Sequence, residues 1–252
     1  MRDLQRGDVW KRISAYMFDK ILLFTVIAGV AYLFSLFIPF DTYHDQQAEV
    51  QAVIEAEYGT SLSISAEEYE ALSEQDRATY DAAREAFTKN ADVQYATAML
   101  YQMAILLITF SVLIGYLSLE FAVPLLFGNG QTFGKKLFGL GVMRIDGVKI
   151  SPLVLFLRTV LGKYTVETML PFVMLIALDL SIMGIVGLGV VGAILITNAF
   201  RLLGSETHTL IHDLLSSTVC VDLTSQRIFD TPEQKQAYEE RLRAERAEQA
   251  ED

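Results

Sequence analysis

The chain lacks most of the features that usually announce a chemical function. It holds one cysteine, Cys220, in 252 residues. An intramolecular disulfide and a cysteine-rich metal site are therefore both excluded. Three histidines are present. Two of them, His208 and His212, stand at i, i+4, but no H-E-x-x-H pattern accompanies them and no third ligand shares their face, so no metal site is expected. A phosphate loop is absent as well. The spacing G-x-x-x-x-G-K-[ST] fails because Asn129 stands where the first glycine belongs and Lys136 follows Lys135. Clustered positive charge is missing, so nucleic acid is not an expected partner. Without a dinucleotide fingerprint or a nucleophile beside a base, neither an enzyme nor a cofactor is expected.

Long apolar runs fill the space that these absences leave. Hydrophobic residues make up 52% of the chain, and the mean hydropathy is +0.33. Between Ile13 and Phe40 only Asp19 and Lys20 carry charge. About 20 apolar residues cross a bilayer core, so this run predicts a membrane-spanning helix. It is too long for a signal-peptide core and has no small-x-small cleavage pattern, so a retained anchor is expected. A second run, Ala96 to Phe127, carries only Glu120 and ends at Pro124 and Gly128-Asn129-Gly130. A third stretch, Val166 to Leu203, has 38 residues, long for one span and short for two. Two short or tilted helices are the better reading, because a single span would bury Asp179. Gly184, Gly187, Gly189 and Gly192 would then permit close packing on the fourth helix.

Charge is distributed unevenly between these runs. Residues 1–12 include Arg2, Arg6, Lys11 and Arg12, and residues 128–163 carry six basic side chains against Asp146 alone. Residues 41–94 hold thirteen acids against Arg77, Arg84 and Lys89. Positive flanks stay in the cytoplasm and acidic loops translocate readily, which predicts cytoplasmic termini and an external insertion. In that insertion Gly59-Thr60-Ser61 reads as a break and Ser65-x-x-Glu68 as a capping box. One or two amphipathic helices follow, the last running into the second membrane helix. The insertion is either a solvated face or a binding surface for an external partner or cations. In the basic loop Asp146-Gly147 signals a two-residue hairpin. Ser151-Pro152 starts an amphipathic, interfacial helix through Leu161 with Arg158 at its polar edge. Lys135, Lys136 and Arg158 are candidates for anionic lipid headgroups or for plain topology control. Val219-Cys220-Val221 reads as a short strand. Thr231-Pro232-Glu233-Gln234 caps a charged helical tail. Four divisions follow: 1–40, the N-terminus and first helix; 41–94, the acidic insertion; 95–223, the remaining membrane core with its basic loop; and 224–252, the tail. The expected fold is an all-α integral membrane protein of four helices, the third and fourth short or forming a hairpin. A helical insertion lies between the first two, and the cytoplasmic loop forms a short β-hairpin.

Arg12 and Asp19 are seven residues apart, so about 100° per residue returns them to one helix face. An ionised aspartate deep in a bilayer costs about 2.5–3.5 kcal/mol on insertion scales, so Asp19 should face protein, a cavity or water. This pattern resembles the RDD family of bacterial membrane proteins, named for an arginine and two aspartates. Arg12 and Asp19 match the first two. Asp213, within His212-Asp213-Leu214-Leu215-Ser216-Ser217-Thr218, is similar to the family's HD-x-L-x-G-T ending, with Ser217 where a glycine is usual. Gln131-Thr132-Phe133-Gly134-Lys135-Lys136-Leu137-Phe138-Gly139-Leu140, then Asp146-Gly147 and Arg158, extend the likeness. The resemblance implies a multi-pass protein of the bacterial cell membrane with a transport-related role. Two functions are weighed about equally. In one, Asp19 handles a cation or a proton for transport, which with four helices calls for an oligomer. In the other, Arg12, Asp19, His212 and Asp213 form a structural clasp in a scaffold that docks another membrane protein. Arg12 is expected to pair with Asp213, leaving Asp19 to a hydroxyl, His212 or water. That pairing also argues against an Asp19–Asp213 catalytic dyad.

Overall fold

The computed structural model describes residues 8–180, 184–204 and 209–251. Arg2, Arg6 and His208, on which the expected topology and histidine pair rest, lie outside the described residues. Among the described residues, four helices are long and apolar enough to cross a membrane. They are α1 (Val9–Ser35), α5 (Ala91–Phe127), α7 (Pro152–Asp179) and α8 (Gly184–Gly204). Between 6% and 28% of the residues in their apolar windows are buried against protein. Helices that are apolar yet so little covered by protein need lipid around them.

The chain forms two compact units, each including part of α1 and part of α5. One is Gly29–Ser111. It contains α2 (Phe40–Tyr58), α3 (Ala66–Ala71) and α4 (Glu74–Lys89). Gly59 ends α2 in the left-handed region that glycine adopts without steric cost. The capping box at Ser65 and Glu68 is formed in both directions and starts α3. Three helices stand where one or two were expected. The last of them does not run on into α5: Asn90 is extended, and its side chain accepts from the N–H groups of Asp92 and Val93. An asparagine that caps the next helix breaks the preceding one at the same point. Gln47 donates to Thr97 at 2.7 Å, and the rings of Tyr43 and Tyr95 meet edge to face, which ties α2 to the start of α5.

The other unit comprises residues up to Ala28 and from Val112 onward. It adds α6 (Phe133–Leu137), β1 (Leu140–Arg144), α9 (Ile211–Leu215), β2 (Thr218–Asp222) and α10 (Pro232–Glu251). A core of Leu23, Val112, Tyr116 and Met169 joins α1, α5 and α7. A Cβ on Gly115 would come within 2.7 Å of Ile27, so α1 and α5 cross closely there. Lys20 is satisfied inside this crossing by the Tyr116 hydroxyl, itself bonded to Thr168.

Two elements differ from expectation. The Asp146-Gly147 turn forms, with Gly147 N donating to Arg144 O at 2.9 Å. However, its two arms share only one bridge, Met143 with Lys149, because Ser151 and Pro152 start a helix directly after. β1 pairs instead with β2 across the chain, antiparallel, Leu140 opposite Asp222 and Arg144 opposite Thr218. The hairpin is thus replaced by a two-stranded sheet that buries Met143, Val219 and Val221. The second difference is α7. It runs without a break from Pro152, so the segment read as an interfacial helix is the first part of the third membrane helix. The turns at Leu157–Met169, like those at Leu117–Ala122 in α5, are widened, with N–H groups reaching five residues back. Each precedes a proline, Pro171 and Pro124, whose ring would clash with a tight preceding turn. Pro124 also leaves the carbonyl of Glu120 without its helical donor, and the Thr159 hydroxyl takes its place at 2.9 Å.

Ser217 is the one described non-glycine residue with positive φ, at 50°. It turns the chain from α9 into β2 at the position where the family resemblance places glycine. A left-handed residue with a Cβ costs about 1–2 kcal/mol, and glycine's extra backbone entropy returns part of that. Ser217→Gly should raise stability by about 0.5–1 kcal/mol, seen as a higher melting temperature in detergent. An unchanged or lower melting temperature would refute this account of the turn.

Candidate functional site

A cavity of about 310 Å³ is lined by residues of α1, α5, α6, α7, α8 and α9 that all belong to one unit. Nine ionisable groups other than Tyr16 and Cys220 line it: four cations, four carboxylates and His212. The widened turns carry four of them. Glu120 lies on the widened stretch of α5, and Arg158, Lys163 and Glu167 lie on that of α7. Widened turns shift side chains out of ordinary helical phase, which brings charges of both helices to one face.

Asp213 is the most enclosed of the carboxylates, with a side chain 1% exposed. Arg158 Nη2 donates to its Oδ1 at 2.6 Å. Thr218 donates to the same oxygen at 3.2 Å, and the Leu210 N–H to Oδ2 at 3.2 Å. Arg12 Nη2 stands 3.9 Å from Oδ2 and His212 Nε2 3.7 Å from it. Burial works against ionisation of Asp213, but Arg158, His212 and Arg12 together outweigh it and hold the carboxyl well below the usual range. The pair expected of Arg12 with Asp213 stands at 3.9 Å, and Arg158 makes the closer contact with the same carboxylate. The sequence groups Arg158 and Lys135 with Lys136 as loop cations for lipid headgroups or for plain topology control. Both are instead turned inward, while Lys136 stays exposed with its ammonium over the Phe127 ring.

Asp19 takes its partners from α6. The Gly134 N–H donates to Oδ1 at 2.7 Å, and the Thr132 hydroxyl donates to Oδ2. Thr132 also caps α6, so one side chain starts the helix and grips the aspartate. Only glycine fits at 134, because a Cβ would come 2.3 Å from the Ala15 carbonyl. Lys135 Nζ stands 4.0 Å from Asp19 and 3.2 Å from the Thr132 hydroxyl. Burial, then Lys163, lower the pKa of Lys135 to about 8, within reach of ordinary working pH. Lys163 pairs with Glu120 across α7 and α5.

His212 reaches the other way. Its N–H donates to Glu167 Oε1 at 3.0 Å, and its ring Nδ1 lies 2.9 Å from Oε2. Gly162 makes room for it, since a Cβ there would come 2.5 Å from the His212 Cβ. The four residues expected as a clasp therefore line one cavity, but in two groups. Asp213 sits between Arg158, Arg12 and His212, and Asp19 is held by α6. Sequence reasoning left out Thr132, Lys163 and Glu167 and gave Glu120 a plain structural role. Glu120 did stand out as the only charge in its apolar run. Among the described residues no group of three or more His, Cys, Asp or Glu could hold a metal ion.

Burial, first of all, pushes the His212 pKa below its ordinary 6.5, against the pull of Asp213 and Glu167. With the folded value under the unfolded one, stability from the neutral imidazole is present above about pH 6.5 and lost as pH falls below it. Melting temperatures in detergent at about pH 7.5 and about pH 5.5 should fall more steeply for the natural protein than for His212→Gln. Equal losses in the two proteins would show that His212 does not titrate in this way.

The family model for the RDD family matches residues 6–217, which is most of the chain. No match was found among curated proteins or among solved structures. The model spans α1, the cavity and the turn into β2, and so covers Arg12, Asp19 and Asp213; on that match the chain belongs to the RDD family and is a multi-pass membrane protein.

Proposed function

We propose that the protein is transport-related and that the charged cavity is its solute and proton site. One observation carries this reading: Asp19 and Asp213 line a cavity of about 310 Å³ rather than a closed packing contact. A clasp alone has no need of such a space, since buried polar groups are cheapest when fully packed. At Asp19 a proton suits the site better than a metal cation does. A metal ion would have to displace a built-in partner, Arg158 from Asp213 or Lys163 from Glu120. A proton on Asp19 would instead remove the charge that Lys135, Thr132 and the start of α6 hold. That would loosen α6 from α1 and couple protonation to movement between helices. The structural-clasp reading, with a scaffold or regulatory role beside another membrane protein, keeps one argument. Buried charges here are paired, as they are in purely structural networks.

Asp19→Asn separates the two. It preserves shape and accepts hydrogen bonds through one oxygen but cannot exchange a proton. In reconstituted vesicles with a trapped pH-sensitive dye, the natural protein should move protons when a solute or cation gradient is imposed. Asp19→Asn should remain monodisperse and lose that flux. A folded Asp19→Asn protein with full activity would leave the clasp as the role of this residue.

The same reading places the protein in the bacterial cell membrane with both termini cytoplasmic and the acidic helices α2, α3 and α4 outside. The support is charge asymmetry. Cys220 is buried, so a Cys220→Ala background removes little that a polar reagent would reach. In that background a cysteine introduced by Ser225→Cys should resist impermeant thiol reagents on intact cells, and one introduced by Glu74→Cys should react. The opposite pattern would overturn this orientation.

A further inference from the structure

Positive charge is in local excess at one point of the cavity. Lys163 serves Glu120, Lys135 stands by Asp19, and Glu167 is satisfied by the ring and N–H of His212. Asp213 alone has two guanidinium groups, Arg158 at Oδ1 and Arg12 near Oδ2. Arg12 is 9% exposed and Arg158 4%. Arg12 Nη1 and Arg158 Nε are both buried and have no hydrogen-bond partner among the described residues. The described carboxylates of the cavity leave no comparable buried oxygen unpartnered. The cavity is thus short of acceptors, not of donors. An unmade hydrogen bond on a buried charged donor is costly, so such donors point to a ligand that accepts.

Resting on the reading of the cavity as a solute site, we propose that Arg12 and Arg158 bind a phosphate group there, with Asp213 fixing both guanidiniums. Two guanidiniums from different helices, α1 and α7, call for oxygens in several directions, which a phosphate offers and a planar carboxylate does not. The phosphate can come from two sources. One is the free inorganic ion. The other is a phospholipid headgroup entering between α1 and α8, whose cavity-lining Ile13, Tyr16, Leu195 and Ala199 are apolar or aromatic. Charge balance fits either. The four cations and four carboxylates of the cavity sum to zero, so a bound anion brings in net negative charge from either source and would favour protonation of His212, which faces Arg158, Asp213 and Glu167.

The test uses the full chain in neutral detergent. Inorganic phosphate is titrated by calorimetry against chloride at matched ionic strength, and phosphatidylglycerol is titrated in mixed micelles against diacylglycerol, which has the same chains without the phosphate. Saturable binding of phosphate that weakens about tenfold or more in Arg12→Lys, which keeps the charge but loses the fork, supports the site with the free ion. The same dependence on Arg12 for phosphatidylglycerol, without phosphate binding, supports it with the lipid source. Exposed Lys136→Gln is the control for general charge. If neither ligand binds saturably, or if Lys136→Gln weakens binding as much as Arg12→Lys, the site is refuted. Should Arg12→Lys fail to fold, Arg158→Lys replaces it. Should both fail, the natural protein decides by selectivity, because binding of phosphate or phosphatidylglycerol no tighter than that of its control overturns the proposal. Phosphate binding without any flux in vesicles would sink the transport reading and leave the anion site. Flux without binding would do the reverse.

Discussion

Much of the membrane core depends on the ion pair between Arg158 and Asp213, 2.6 Å apart with side chains 4% and 1% exposed. Neither charge is tolerable alone in so dry a place, since removing one partner of a buried pair typically costs about 3–5 kcal/mol. The pair docks α9 onto α7 at the point where Gly162 lets His212 approach. α9 in turn delivers the chain through Ser217 into β2. β2 then pairs with β1 and buries Cys220 against Ala15 and Leu140. One electrostatic contact between distant residues therefore links a membrane helix, a two-stranded sheet and the foot of α1.

The second organising constraint is backbone satisfaction in a medium without water. Pro124 and Pro171 remove donors in helices that have no solvent to replace them. The structure answers with widened turns, in which threonine hydroxyls also bond to carbonyls five residues back, Thr165 to Val160 and Thr168 to Lys163, each at 2.8 Å. Those same turns carry Glu120, Arg158, Lys163 and Glu167. The irregularity that two prolines force on the helices also re-aims the charges of the cavity.

Much of the local architecture was legible in the residues. Apolar run lengths give the first two membrane helices, and Asp19 shares a face with Arg12 because seven residues return to the same side. Gly59, the Ser65–Glu68 box and the Asp146-Gly147 turn form as their local chemistry demands. Misreadings arose where a local signal was real but a distant one prevailed. The hairpin turn exists, yet its second arm pairs through a single bridge, and the longer ladder of β1 is with β2. Residues 151–161 are amphipathic, but their polar side meets Asp213 rather than the interface. The helix before α5 is expected to run on into it, but Asn90 ends it, because its role as a cap depends on its side-chain rotamer and not on its spacing.

By itself, the sequence determined the quantities that depend on neighbours along the chain. These are the run lengths that span a membrane, the helical phase of Arg12 and Asp19, the caps and the turns. Which charges meet was decided only by tertiary structure. Arg158 lies 55 residues from Asp213, and Thr132 lies 113 from Asp19. The physical reason is that burying a charge is penalised according to whatever partner stands within a few ångströms. No spacing along the chain encodes that partner, and the space left among the partners, which is the cavity, exists only once the helices have packed.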